Sequence, residues 1–213
     1  MTGLRGGDRR TAEACRELAA RCRVLSNILD VTGPPRWRAR EGGYQGLSRI
    51  IIEQQLSVAS ANAILERVQA ATAGLDPEHV LRTSEDNLRS LGLSRPKIRY
   101  LKVLAADVTE GRFDFAELQR LDDRQASEAL EGLLGVGRWT AAVYLLFCEG
   151  RRDLWPRGDV ALLAAHLMAG GTFGRQDIKA FDAWAEEFYA PHRGVAAHIL
   201  WGQIAHVRGR APL

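Results

Sequence analysis

Two stretches of this chain carry residue types that could do chemistry. Leu134-Gly135-Val136-Gly137-Arg138-Trp139-Thr140 sets two glycines at a tight turn. Trp155-Pro156-Arg157-Gly158-Asp159 places one carboxylate directly before the apolar run Val160-Ala161-Leu162-Leu163-Ala164-Ala165. Glycine adopts backbone angles barred to other residues, so a Gly-x-Gly turn can bring its amides close to a phosphate. Asp is favoured at a helix N-cap, and an N-capping position also fixes a carboxylate rigidly.

The elements that must position these residues read as helices nearly throughout. Residues 11–30 show apolar positions at helical spacing, and the break VTGPPRWRAREGG follows, rich in Gly, Pro and Arg. Residues 44–55 and 58–71 predict two helices, the second capped by Ser57. Thr83 or Ser84 caps a short helix, and Pro96 opens another with Ser94 just before it. FDFAELQRLDD predicts a short helix and a turn, and RQASEALEGLL a helix ended at Gly135. Helices are then predicted over Trp139 to Glu149, 159–169, 176–190 and 193–205. No fixed-period repeat, low-complexity tract or heptad run is present. The predicted class is all-α, with about ten helices.

Bulk properties narrow the field. A chain of 213 residues suits one domain or two lobes sharing a core. Apolar residues at 46% allow a packed core, and 26% charged residues are ordinary for a globular protein. No apolar run approaches the roughly 20 residues that span a bilayer. The N-terminus MTGLRGGDRR is basic but lacks the apolar segment of a signal peptide. The expectation is a cytoplasmic protein without a membrane partner. A net charge of +3 only weakly favours an anionic partner. The basic residues are overwhelmingly Arg, the lysines being Lys97, Lys102 and Lys179. Cys15, Cys22 and Cys148 read as reduced thiols, the first two buried on one helix face. Without C-x-x-C, HExxH or an i, i+4 histidine pair, no structural zinc or iron–sulfur site is expected.

The glycine turn is not a cofactor loop. A dinucleotide fingerprint follows a strand and carries a third glycine, whereas the residues before Gly135 are helical in pattern. A P-loop needs a Gly-Lys-Ser/Thr ending that is absent here. Two readings stay open for the turn alone. It is a helix–hairpin–helix gripping a nucleic acid backbone, a contact that positions without reading bases, or it is a plain turn between two helices.

Taken together, Ile51-Ile52-Glu53-Gln54-Gln55-Leu56-Ser57-Val58-Ala59, Leu134 to Ala141, and Pro156-Arg157-Gly158-Asp159 resemble the helix–hairpin–helix, Gly-Pro-Asp (HhH-GPD) superfamily of DNA glycosylases. The resemblance is closest to the AlkA-type 3-methyladenine DNA glycosylase II group. A weaker fourth block runs from Pro191 to Ala197 and on to Trp201. The resemblance implies two helical lobes with an active-site cleft between them. Residues 1–20 are then an N-terminal extension, helical or disordered. The glycosylase domain covers 21–213, with lobes of roughly 40–150 and of 21–39 plus 151–213. It also implies a compact form holding only the catalytic helical part. The chain departs from the family pattern in having Pro-Arg-Gly-Asp where Gly-Pro-Asp is usual. Bifunctional relatives carry a nucleophilic Lys where Trp139 stands, so no Schiff base or strand cleavage is expected. Nothing after Cys148 supplies the cysteines of an iron–sulfur cluster.

The implied reaction is hydrolysis of the N-glycosidic bond of a damaged base flipped from duplex DNA. Asp159 would stabilise positive charge developing on the sugar, or orient or deprotonate the attacking water. No second acid is evident to protonate the leaving group. That suits an alkylated, already cationic purine such as 3-methyladenine or 7-methylguanine. Trp139 and Trp201 match aromatic positions of the base pocket, with Tyr44, Tyr144 and Tyr189 as weaker candidates. Gln54, Gln55, Leu56 and Ser57 match the loop that enters the duplex, Gln55 being the wedge with Leu56 beside it. Gly135, Gly137, Arg138 and Thr140 would grip phosphates. Carbonyls of Leu133 and Val136 would hold a monovalent cation, sodium or potassium, and no other cofactor is expected. His166 reads as structural, with a cleft-facing role as the alternative, and Arg193 as either a phosphate contact or a surface charge. The partner is double-stranded DNA and the protein a monomer. Competing readings are the same fold acting on uracil, hypoxanthine or another neutral lesion, a non-catalytic binder of damaged DNA, and an unrelated helical protein.

Overall fold

The structure, a computed structural model, describes residues 9–35, 37 and 40–209. Among them are thirteen helices and no strand, so the class is all-α. The chain divides into two compact units, one of residues 40–144 and one of residues 1–39 with 145–213.

The unit of residues 40–144 is built on α3 (Gly43–Glu53), α4 (Val58–Ala71), α5 (Pro77–Arg82), α6 (Glu85–Ser90), α7 (Arg95–Thr109), α8 (Phe115–Leu118), α9 (Asp123–Glu131) and most of α10 (Arg138–Phe147). Its helices start where side chains can satisfy free amides. Ser57, Asp76, Ser84, Asp114 and Asp122 each accept a backbone N–H from the first turn they cap. Gln125 returns the favour to Asp122, completing a capping box. Helix α7 packs against α3, α5 and α6. Its Ile98, Leu101, Leu104 and Ala105 are buried at i, i+3, i+6 and i+7, which is the apolar stripe of a core helix.

The second unit holds α1 (Arg9–Arg21), α2 (Arg23–Thr32), α11 (Val160–Met168), α12 (Ile178–Phe188) and α13 (Arg193–Val207). Helix α13 has no continuous polar face. Every residue from Gly194 to Trp201 is buried, and α1, α2 and α11 pack around it. A helix without a polar face must sit at the centre of its layer.

Two local readings change. Residues 11–30 are not one helix, because Cys22 takes an extended conformation (φ −133°, ψ 103°) and starts α2. Periodicity conceals the break, since Cys15, Leu18, Cys22, Leu25 and Ile28 are all buried at helical spacing across it. Helix α5, with Asp76 as cap and Pro77 in its first turn, went unread because it is six residues long and buries only Val80. The expected extension of residues 1–20 lies outside the described residues over 1–8. From Arg9 onward it is α1, which buries Thr11, Ala14, Cys15 and Leu18. Among the described residues no helix is long and apolar enough to cross a membrane.

His166 is a core residue, 3% exposed. Its ring lies among Phe173, Phe181 and Trp184, with Nδ1 3.5 Å from the Tyr189 hydroxyl. A Cβ on Gly171 would fall 2.0 Å from that ring, so the loop can pass over it only as glycine. Burial lowers the His166 pKa from 6.5 to about 4. The folded protein therefore favours the neutral ring. This stability is complete above about pH 6.5 and is lost as pH falls towards 4. Thermal unfolding followed across that window should show a steeper drop in Tm for the parent than for His166→Gln. Parallel curves, or an imidazole titrating near 6.5 by NMR, would contradict it.

Candidate active site

Asp159 is delivered by a turn that glycine makes possible. Arg157 N–H donates to the Trp155 carbonyl at 3.0 Å and Asp159 N–H to the Pro156 carbonyl at 3.3 Å. Gly158 sits at φ +81°, the left-handed region open to glycine at little cost. The chain then enters α11 with Asp159 as its N-cap. Oδ1 accepts the amides of Ala161 at 2.9 Å and Leu162 at 3.3 Å. Oδ2 accepts the indole N–H of Trp201 at 3.1 Å. The N-cap reading and the functional reading thus use different oxygens of one carboxylate. Trp201 is itself fixed, by Phe147 at 5.4 Å and His198 at 5.5 Å between ring centroids. Trp37 stacks on His198 at 4.2 Å behind it.

The same turn is held from α12. Asp182 is 8% exposed. Its Oδ1 accepts the Trp155 indole N–H at 2.9 Å and its Oδ2 the Gly158 amide at 2.8 Å. One helical turn on, Glu186 pairs with Arg157. Sequence reasoning missed Asp182. The signal was a charged residue on the buried side of an amphipathic helix, between Phe181 and Ala185.

The hairpin and the loop of residues 54–57, expected from the sequence to be the wedge loop, belong to the other unit. The hairpin joins α9 to α10 through residues 132–137, and Val136 N–H closes it on the Leu133 carbonyl at 3.1 Å. The two glycines do different work. Gly135 has φ +85°, and a Cβ there would lie 2.3 Å from the Tyr100 ring. Gly137 has nothing within 4 Å of its Cβ position, so the space in front of it is open. Arg138 is exposed, 3.6 Å from Glu131. In the wedge loop, Gln55 takes the left-handed conformation (φ 56°), and Leu56 is 39% exposed. A non-glycine residue at positive φ is strained and persists only where its surroundings hold it.

Lys97 supplies that hold. Its ammonium donates to the carbonyls of Ile52 at 2.8 Å and Gln54 at 2.7 Å, capping the C-terminal end of α3. Partial burial lowers its pKa. Gln54 ties the loop to the hairpin, its amide donating to Thr140 Oγ1 at 2.9 Å and the Gly135 carbonyl at 3.3 Å. Lys97 and Tyr100 stand three residues apart on α7, so one helix face supports both the wedge loop and the hairpin.

Several expected site residues are placed elsewhere. Gln54 and Thr140 face each other inside the unit, with Thr140 4% exposed, so neither side chain is presented for a phosphate. Ser57 is spent on capping α4. Tyr44, Tyr144 and Tyr189 are core residues, each at most 3% exposed, because their hydroxyls find internal partners. Tyr44 donates to the Leu101 carbonyl, and burial raises its pKa. Tyr144 accepts the Gly43 amide. Tyr189 lies among Trp155, Trp184 and Phe188, its hydroxyl 4.0 Å from Cys22 Sγ. Arg193 is an internal brace, bonded to the Glu186 carbonyl at 2.8 Å and held to Asp153. Trp139 is half-buried at the start of α10. Among the described residues no cluster of three or more His, Cys, Asp or Glu could hold a metal ion. An open groove of about 410 Å³ runs along α11, lined by Val160, Leu163, Ala164, Leu167, Met168 and Arg175; its lining holds no carboxylate.

An all-helical fold, a Gly-x-Gly hairpin and a capped, indole-bound Asp define the class of helix–hairpin–helix base-excision proteins. The chain belongs to the HhH-GPD superfamily of base excision DNA repair proteins, whose family model matches residues 48–190. It is 28% identical to DNA-3-methyladenine glycosylase 1 of Schizosaccharomyces pombe over 172 residues, 79% of this chain and 75% of that protein. A crystal structure of DNA-3-methyladenine glycosidase from Bacillus halodurans superposes with a TM-score of 0.73 at 29% identity, covering 93% of this chain and 89% of that one. The S. pombe 3-methyladenine DNA glycosylase in complex with abasic DNA gives 0.77 at 26%, covering 89% and 95%.

Alanine separates the roles of the glycines. Gly135→Ala must meet the Tyr100 ring and accept positive φ, and should cost about 2 kcal/mol or more in thermal or denaturant unfolding. Gly137→Ala should keep parental stability within about 0.5 kcal/mol yet weaken binding to abasic duplex severalfold, because its methyl fills the open space. Equal stability losses in both variants would contradict this assignment.

Proposed function

We propose that this chain is a monofunctional DNA glycosylase of base excision repair that hydrolyses the N-glycosidic bond of alkylated purines, 3-methyladenine or 7-methylguanine, flipped from duplex DNA. The observation that carries the reading is the carboxylate of Asp159, oriented through Oδ1 by the start of α11 and through Oδ2 by Trp201. As the glycosidic bond breaks, positive charge develops on the sugar, and a fixed carboxylate stabilises it without reorganising. The same group orients the attacking water and takes its proton. Alkylation makes the base a cationic leaving group, so the site needs no second acid. The half-buried Trp139 offers an aromatic face to such a base, whereas Trp201, 5% exposed, serves by holding the carboxylate.

The unit of residues 40–144 carries the DNA grip. Gly137 and the first amides of α10 receive a phosphate, and Arg138 adds charge. Gln55, with Leu56 beside it, fills the gap that the flipped base leaves. The hairpin carbonyls are hard oxygen donors of the kind that hold a monovalent cation. The Leu133 carbonyl already accepts Val136 N–H and keeps a second lone pair, so Leu133 and Val136 would hold sodium or potassium, which would offset phosphate charge. With Trp139 in place of an amine, no covalent sugar adduct forms and the strand stays intact. The protein acts as a monomer on double-stranded DNA in the cytoplasm.

Base release from methylated duplex DNA tests the reading. The parent should liberate 3-methyladenine or 7-methylguanine, and Asp159→Asn should lower the rate by about a hundredfold or more while binding abasic duplex as the parent does. Borohydride should trap no protein–DNA adduct. Undiminished release by the variant, or a trapped adduct, would contradict it.

A further inference from the structure

We infer that Asp182 is a positioning residue for the reaction, setting where the carboxylate of Asp159 points without touching substrate. This rests on the assignment of Asp159 above. The turn Trp155-Pro156-Arg157-Gly158 ends one bond before Asp159, and its two ends are joined by a single side chain. Asp182 takes the indole N–H of Trp155 on Oδ1 at 2.9 Å and the backbone N–H of Gly158 on Oδ2 at 2.8 Å. Both partners are donors, so the clamp needs acceptors at both ends. Among side chains of this length, an ionised carboxylate supplies that, whereas an amide sets its NH2 against one of the two N–H groups.

The clamp is stiff for three reasons. Asp182 is 8% exposed, so water competes poorly for its bonds. Trp155 is 5% exposed and packs against Phe181 and Tyr189 at 5.6 Å. Gly158 is held at φ +81°, a conformation glycine leaves freely unless its amide is anchored. Asp182 provides that anchor on the residue preceding the carboxylate. Released, the turn can swing and Asp159 loses its fixed approach, although α11 and its cap remain. The carboxylate of Glu186, on the same helix, pairs with the exposed Arg157 guanidinium and not with the backbone of the turn. It therefore serves as the control.

The test compares parent, Asp182→Asn, Glu186→Gln and Asp159→Asn on duplex containing 7-methylguanine, under single-turnover conditions with protein in excess. Affinity for abasic duplex and thermal unfolding are measured on the same samples. Asp182→Asn should slow base release by roughly ten- to a hundredfold, with affinity within threefold of the parent and a cooperative melt well above the assay temperature. Glu186→Gln should stay within twofold. Release by Asp182→Asn within twofold of the parent overturns the inference. So does an equal loss in Glu186→Gln, or a loss of affinity matching the loss of rate. If Asp182→Asn fails to fold, Trp155→Phe removes one arm of the clamp and should slow release severalfold; an unchanged rate there overturns the inference. Parent-level release by Asp159→Asn would instead remove the assignment of Asp159 itself.

Discussion

Everything in the site depends on one carboxylate being held from two directions. A surface Asp samples many rotamers and is hydrated in all of them. Asp159 is half-buried, with Oδ1 on the amides that open α11 and Oδ2 on an indole N–H. Each hydrogen bond to a charged group is worth roughly 1.5–3 kcal/mol. More important here, the donors come from two elements packed on each other. Helix α11 packs on α13, and Trp201 is part of α13. Helix α13, buried from Gly194 to Trp201, therefore supports the carboxylate as well as the core.

Two of the three lysines close helix ends, while many arginines pair with carboxylates. Arginine's planar fork suits carboxylates, and Arg157, Arg151 and Arg124 pair with Glu186, Glu149 and Glu128. Lysine's compact ammonium suits several carbonyls converging at a helix end. Lys97 closes α3 in this way, and Lys102 closes α5 through the carbonyls of Leu81 and Thr83. The first of these stands directly under the strained Gln55. Lys97 and Gln54 hold this loop from inside the unit.

The helical class, the hairpin turn and the N-cap role of Asp159 were legible because each follows from local pattern or from an ordered set of family motifs, whereas the bond from Trp201 to Asp159 joins residues far apart in the chain and was not read. The roles of Gln54 and Thr140 were not. Polar side chains beside a DNA-binding turn read as ligand contacts, and only the fold shows them bonded to each other. The tyrosines failed for a related reason. An aromatic with a hydroxyl suits a pocket or a core equally, and internal partners for Tyr44, Tyr144 and Tyr189 decided the matter. The two hairpin glycines look alike in sequence, yet one is required by Tyr100 and the other faces open space. Asp182 depends on contacts between residues far apart in the chain, which no periodicity reveals.

The most direct test of the account is whether the site prefers a positively charged sugar. Binding should be measured for duplex carrying a cationic pyrrolidine abasic analogue and for duplex carrying its neutral tetrahydrofuran counterpart, with parent and Asp159→Asn protein. A site whose carboxylate stabilises the developing sugar cation should bind the cationic analogue at least tenfold more tightly, about 1.4 kcal/mol, and Asp159→Asn should lose that preference while keeping its affinity for the neutral duplex. Equal binding of the two analogues by the parent, or a preference that survives in Asp159→Asn, would contradict it.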